Sequence, residues 1–113
     1  MRKRKPLRRR VLRFLLLADL ERVDAEATAS RMCMSSSTLR RRLRAEGTSY
    51  QVLLDAVRVH RCDKVLARTS LPGKTLALEM GFSEPNSFYR AFHRWHGKSL
   101  TRYRCELQRN GAR

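Results

Sequence analysis

Apolar residues along the chain recur at helical spacing. Leu7, Val11, Phe14 and Ala18 form one stripe and predict an amphipathic first helix, with Leu12 and Leu16 off it. Those two leucines are either exposed or cover a neighbour absent from this chain. Further on, Leu39 and Leu43 share one face of a short helix, with Ser35 as its candidate N-cap and Gly47 as its stop. Residues 50–68 contain no Pro or Gly and read as one longer helix. Its early apolar residues Leu53, Leu54 and Val57 lie on one side, while Val59, Cys62 and Leu66 lie on another. A helix apolar on two sides is gripped by two neighbours. Ser70-Leu71-Pro72-Gly73 ends it with strong breakers. Beyond the break, Phe88, Phe92 and Trp95 share a helix face.

The pattern repeats. Ala29, Ser35, Leu39, Arg41, Leu43, Gly47 and Ser49 align with Ala77, Ser83, Phe88, Arg90, Phe92, Gly97 and Ser99 once two single-residue insertions are allowed in the second copy. Each copy reads as a helix, a tight turn and a second helix ending at glycine. The turns are Cys33-Met34-Ser35 and Gly81-Phe82-Ser83. Two helix-turn-helix units in an all-α chain follow, joined by a central linker helix. The expected layout is a basic disordered arm over 1–6, a first unit over 7–49, a linker over 50–69, a second unit over 70–106 and a tail over 107–113.

Charge turns this scaffold into a reader of polyanions. The chain carries 26 Lys+Arg against 10 Asp+Glu, a net charge of +16. Its 42% hydrophobic content is that of a folded domain. A folded domain this basic attracts nucleic acid above all. On the second helix of the first unit, Ser37, Arg40, Arg41 and Arg44 oppose the leucines, with Glu46 as the one nearby acid. On its counterpart, Asn86, Arg90, His93 and Arg94 look outward. A charge run on a helix is ordinarily just a solvated face. Here the outward face carries arginine in both copies with few acids to balance either.

Arginine matches guanine O6 and N7 in the major groove, and asparagine matches adenine N6 and N7. Arg40, Arg41, Asn86 and Arg90 are therefore candidate base readers. Arg44, the N-terminal arm, and helix N-termini capped by Ser35 and Ser83 are candidate phosphate contacts. Two such helices reach successive major grooves when they sit roughly 34 Å apart, and a closer spacing bends the duplex. A single chain with two unlike readers favours an asymmetric site.

Other chemistries find little support. No GxSxG, HExxH or Walker loop is present, and Glu79 and Glu84 read as helix-surface acids. Cys33, Cys62 and Cys105 make no CxxC pair, and His60, His93 and His96 have no zinc spacing, so neither metal nor cofactor is expected. The segment VLRFLLLA follows a basic start like a signal peptide, but Arg13 interrupts it, Asp19 and Glu21 close it, and it is too short to span a bilayer. The competing readings are a nonspecific nucleic-acid binder and a membrane-active basic segment over residues 1–18.

The segment 75-TLALEMGFSEPNSFYRAFHRWHGKSLTRYR-104 resembles the signature of the AraC/XylS family of bacterial transcription regulators, with its A…GF…S…F-x-R-x-F…G-x-S…YR pattern. The first unit, 29-ASRMCMSSSTLRRRLRAEGTSYQVLL-54, is similar to that family's first helix-turn-helix. The resemblance implies seven helices, a cytoplasmic, nucleoid-associated regulator of promoters, and activation through contact with RNA polymerase. Family base-reading positions fall on Ser37, Arg40 and Arg41, and on Pro85, Asn86 and Arg90. Phosphate contacts fall to Ser35, Arg44, Ser83, His93 and Arg94. Leu100 stands where the family usually has proline, which is expected only to soften a turn; Pro85 stands where the family often has a polar reader, so the second helix is expected to make fewer base contacts. These 113 residues lack the family's usual N-terminal sensing or dimerising domain, as expected of a short member or of a domain from a longer protein.

Overall fold

A computed structural model of the protein describes residues 5–110. These hold seven helices and no strand: α1 (Leu7–Leu17), α2 (Ala25–Arg31), α3 (Ser36–Ala45), α4 (Tyr50–Arg68), α5 (Gly73–Glu79), α6 (Pro85–His96) and α7 (Leu100–Arg109). The expected arm and tail lie partly outside the described residues, at 1–4 and 111–113. Residues 107–109 belong to α7, which continues past the boundary expected at 106.

The chain divides into two compact units between Arg58 and Val59, within α4. The first unit buries Leu7, Val11 and Leu15 of α1 against Leu39 and Leu43 of α3 and Leu53, Leu54 and Val57 of α4. The α1 stripe is therefore rotated from the expected one. Leu15 is fully buried, whereas Phe14 and Ala18 are only partly so. Leu12 packs against the core, and Leu16 is exposed. The physical reason is that α1 stops at Leu17. Leu20, three residues past its end, closes the core that Ala18 was expected to reach.

The second unit has an aromatic core. Cys62 and Leu66 of α4 meet Leu76, Ala77 and Met80 from α5 and its cap, Phe88 and Phe92 of α6, and Leu100 of α7. Phe88 lies 5.6 Å from Phe82 and 6.0 Å from Phe92, whose ring meets Tyr103 edge-on at 5.3 Å. Burial, with the charge of Asp63 beside it, pushes the Cys62 thiol up to about 12, which makes it a core hydrophobe and not a reactive group.

A single carboxylate ties α1 down. Its N-cap is Pro6, which has no side-chain acceptor for the first backbone N–H groups. Glu46, at the end of α3, accepts from Leu7 N at 2.9 Å and Arg8 N at 2.8 Å. The Arg8 guanidinium lies 3.7 Å from the same carboxylate. Desolvation raises the Glu46 carboxyl, but the two backbone donors and the charges of Arg8 and Arg42 outweigh it and hold the group below its ordinary value.

Two predictions follow from this unit. Glu46→Ala should lower its unfolding free energy by about 1–2 kcal/mol in urea denaturation at neutral pH. Because the folded carboxyl lies below its ordinary 4.5, that gap is full above this pH and closes as pH falls through the folded value. A gap that persists at low pH would show that the ionised carboxylate is not its source. Cys33 adopts φ +62°, and its repeat partner Gly81 adopts φ +89°. Cys33→Gly should therefore raise stability by about 1 kcal/mol, read as a higher denaturation midpoint.

Candidate nucleic-acid interface

On α3 the Ser35 hydroxyl accepts from Thr38 N at 3.2 Å and so caps the helix N-terminus. At the other end Gly47 adopts φ +82°. Thr48 N then donates to Leu43 O and Gly47 N to Arg44 O, the pairing that closes a helix through a left-handed glycine. With both ends fixed, Leu39 and Leu43 have no exposed surface, and Ser37, Arg40, Arg41 and Arg44 are all exposed. Among the described residues, Arg40, Arg41 and Arg44 have no acid within ion-pair distance. Glu46, the one nearby acid, is occupied by the N-terminus of α1.

Such a face works against its own helix. Arg40 and Arg44 stand one turn apart, and like charges at that spacing cost about 0.2–0.5 kcal/mol per pair. A polyanion laid along the face removes that repulsion and releases its own counterions.

On α6, Phe88, Ala91 and Phe92 are buried, and Asn86, Arg90, His93 and Arg94 are exposed. Arg90 likewise has no acid within ion-pair distance among the described residues. The cap differs from the expected one. Ser83 does not cap α6; Glu84 occupies that position, and its side chain makes no capping hydrogen bond. Pro85 explains the change, because the residue before a proline is driven out of the α region. Glu84 is accordingly extended at φ −132°, ψ 134°, and Pro85 becomes the first helical residue, where its missing N–H is harmless. Ser83 is left exposed in the turn.

Counting from the two caps brings out a residue that sequence reasoning passed over. Ser37 and Asn86 are each the second helical residue, Arg41 and Arg90 the sixth, and Arg44 and His93 the ninth. The fifth position pairs Arg40 with Tyr89. Tyr89 is partly exposed and lies over the start of α5, where a Cβ on Gly73 would come within 2.5 Å of its Oη. The alignment that pairs Leu39 with Phe88 and Arg41 with Arg90 already sets Tyr89 opposite Arg40; the unlike chemistry of the two residues hid the match.

His96, next to this face, points into the unit. Its ring lies 4.4 Å from Phe92, and Nε2 is 3.1 Å from Asp63 Oδ1. His93 and His96 therefore part company, one exposed and one packed. Among the described residues no group of three or more His, Cys, Asp or Glu could hold a metal ion. No helix among them is long and apolar enough to cross a membrane.

Residues 28–106 match a family model described as a helix-turn-helix domain. The ornithine utilization regulator of Pseudomonas aeruginosa is 40% identical over 95 residues, covering 84% of this chain and 28% of that protein. The crystal structure of a DNA-binding transcriptional dual regulator from Escherichia coli K-12 superposes with TM-score 0.82 at 26% identity, over 91% of this chain and 99% of that one. The DNA-binding domain of AdpA, a global transcriptional factor crystallised with a target DNA, gives TM-score 0.79 at 28% identity, over 95% of this chain and 96% of that one. The chain spans less than a third of the length of the curated regulators it matches.

Proposed function

The chain belongs to the AraC-type helix-turn-helix family, and on that premise we propose that it binds promoter DNA sequence-specifically and regulates transcription, with α3 and α6 entering successive major grooves. The observation that carries this reading is the arginine on the outward face of both helices, exposed and, among the described residues, without an acid within ion-pair distance at Arg40, Arg41, Arg44 and Arg90. The chemical division follows the side chains. Ser37, Arg40 and Arg41 on α3, and Asn86 and Arg90 on α6, meet base edges. Pro85 has no donor and offers only apolar contact, for which a thymine methyl is the matching group.

Ser35, Arg44, His93 and Arg94 meet phosphates, as does Ser83 through its exposed hydroxyl and not as a cap. The arginine-rich α3 favours guanine in its half of the site, and Asn86 favours adenine in the other half. Promoter binding is coupled to activation by contact with RNA polymerase, in the cytoplasm at the nucleoid. The AdpA domain, solved on its target DNA, supports duplex DNA as the partner.

Selection of bound duplexes from a random pool should recover two unlike half-sites about ten base pairs apart. Arg40→Ala should cost about 1–3 kcal/mol on the selected duplex and erase base preference at one position. Arg44→Ala should weaken all duplexes alike and reduce the slope of log affinity against log salt by about one. Equal weakening of every sequence by Arg40→Ala would make Arg40 a phosphate contact. Failure to recover any motif would leave a nonspecific binder.

A further inference from the structure

The end of α1 leaves two adjacent leucines open on the first unit. Leu16 and Leu17 are 44% and 86% exposed, and no other large hydrophobic among the described residues is as exposed as Leu17. Leu17 lines a groove of about 400 Å³ with Phe14 of α1 and Met32 at the end of α2, rimmed by Arg10, Arg13 and Arg31. The Arg31 guanidinium lies 5.5 Å from the centre of the Phe14 ring. No residue of α3 lines this groove, so it is separate from the reading face of the same unit.

Two properties of the groove narrow its occupant. Arg10, Arg13 and Arg31 have no acid within ion-pair distance among the described residues. The partner therefore brings negative charge. The groove is also lined by Leu17, Phe14 and Met32, to which a phosphate backbone offers nothing, so the partner brings an apolar group as well. Arginine, methionine and aromatic side chains together are the composition enriched at the centres of protein–protein contacts. An anionic bilayer would satisfy both signs of the chemistry, but an interfacial helix meets lipid along one continuous apolar face. Here the basic and apolar groups come from two helices around a concavity. That shape fits an inserted side chain flanked by charges.

We propose that this groove docks an acidic segment of a partner protein, with a leucine- or phenylalanine-sized anchor seated against Leu17, Phe14 and Met32 and carboxylates on Arg10, Arg13 and Arg31. The site is independent of DNA reading and leaves α3 free to act at the same time.

A random library of peptides about twelve residues long, selected against the full chain with excess duplex DNA present, tests this. The expected peptides place one large apolar residue among Asp and Glu. Replacing that residue with serine, or Leu17→Ser in the protein, should each weaken binding at least about tenfold. The loss expected from Leu17→Ser is on the order of 1.4 kcal/mol or more. Duplex affinity and the unfolding midpoint of Leu17→Ser should stay unchanged, since the side chain is almost wholly exposed. Backbone amide shifts on peptide addition should centre on Leu17, Arg31 and Met32. The proposal is overturned if selected peptides are acidic without an apolar preference, if Leu17→Ser leaves their affinity intact, or if none is recovered. It is also overturned if those amides respond to phosphatidylglycerol vesicles and not to peptides, which would assign the groove to a lipid surface.

Discussion

Scarcity of negative charge governs this protein. Ten acids must serve 26 basic residues, and the structure commits half of them to holding the scaffold. Asp24 caps α2, and Glu46 holds the start of α1. Asp55 meets Arg58 along α4, and Asp63 meets His96. Glu106 takes both Lys98 and Arg102. Among the described residues, Arg40, Arg41 and Arg44 of α3 and Arg90 of α6 are thereby left without an acid within ion-pair distance. Packing of leucine or phenylalanine backs fixes which way these helices face, and the placement of acids elsewhere fixes what they present.

The two copies solve the same packing problem with different volumes. Leu39 and Leu43 anchor α3 where Phe88 and Phe92 anchor α6, and all four are fully buried. The larger rings are matched by Phe82, Trp95 and Tyr103 around them. The turns also differ by one residue. In the first, Ser35 is the cap; in the second, Pro85 transfers the cap to Glu84. One proline thus accounts for the first insertion between the repeats and for the lack of a side-chain cap on α6.

Much of this was legible in the residues. Helix periodicity and breakers located α4 and its end at Arg68, ahead of Pro72, and the left-handed conformation of Gly47 and Gly97 was readable from their place after helical runs. The outward placement of Arg40, Arg41 and Arg44 followed from the opposing leucines. Three things did not show. In VLRFLLLA nearly every position is apolar, so periodicity could not choose between Phe14 and Leu15 as the buried residue. Glu46 bonds to residues 38 and 39 positions away, a pairing that local pattern does not encode. Tyr89 escaped notice because its counterpart in the first copy is a residue of unlike chemistry, Arg40.

The linker helix ends as a property of both units and of neither alone. Its first half supplies Leu53, Leu54 and Val57 to one core, and its second half supplies Cys62 and Leu66 to the other. Helix initiation is the unfavourable step of helix formation, whereas extension is nearly free. Once either core has ordered its half of α4, the other core inherits a helix already begun. The two halves of the molecule are thereby coupled in their melting, and a lesion in one should loosen amide protection in the other without touching it.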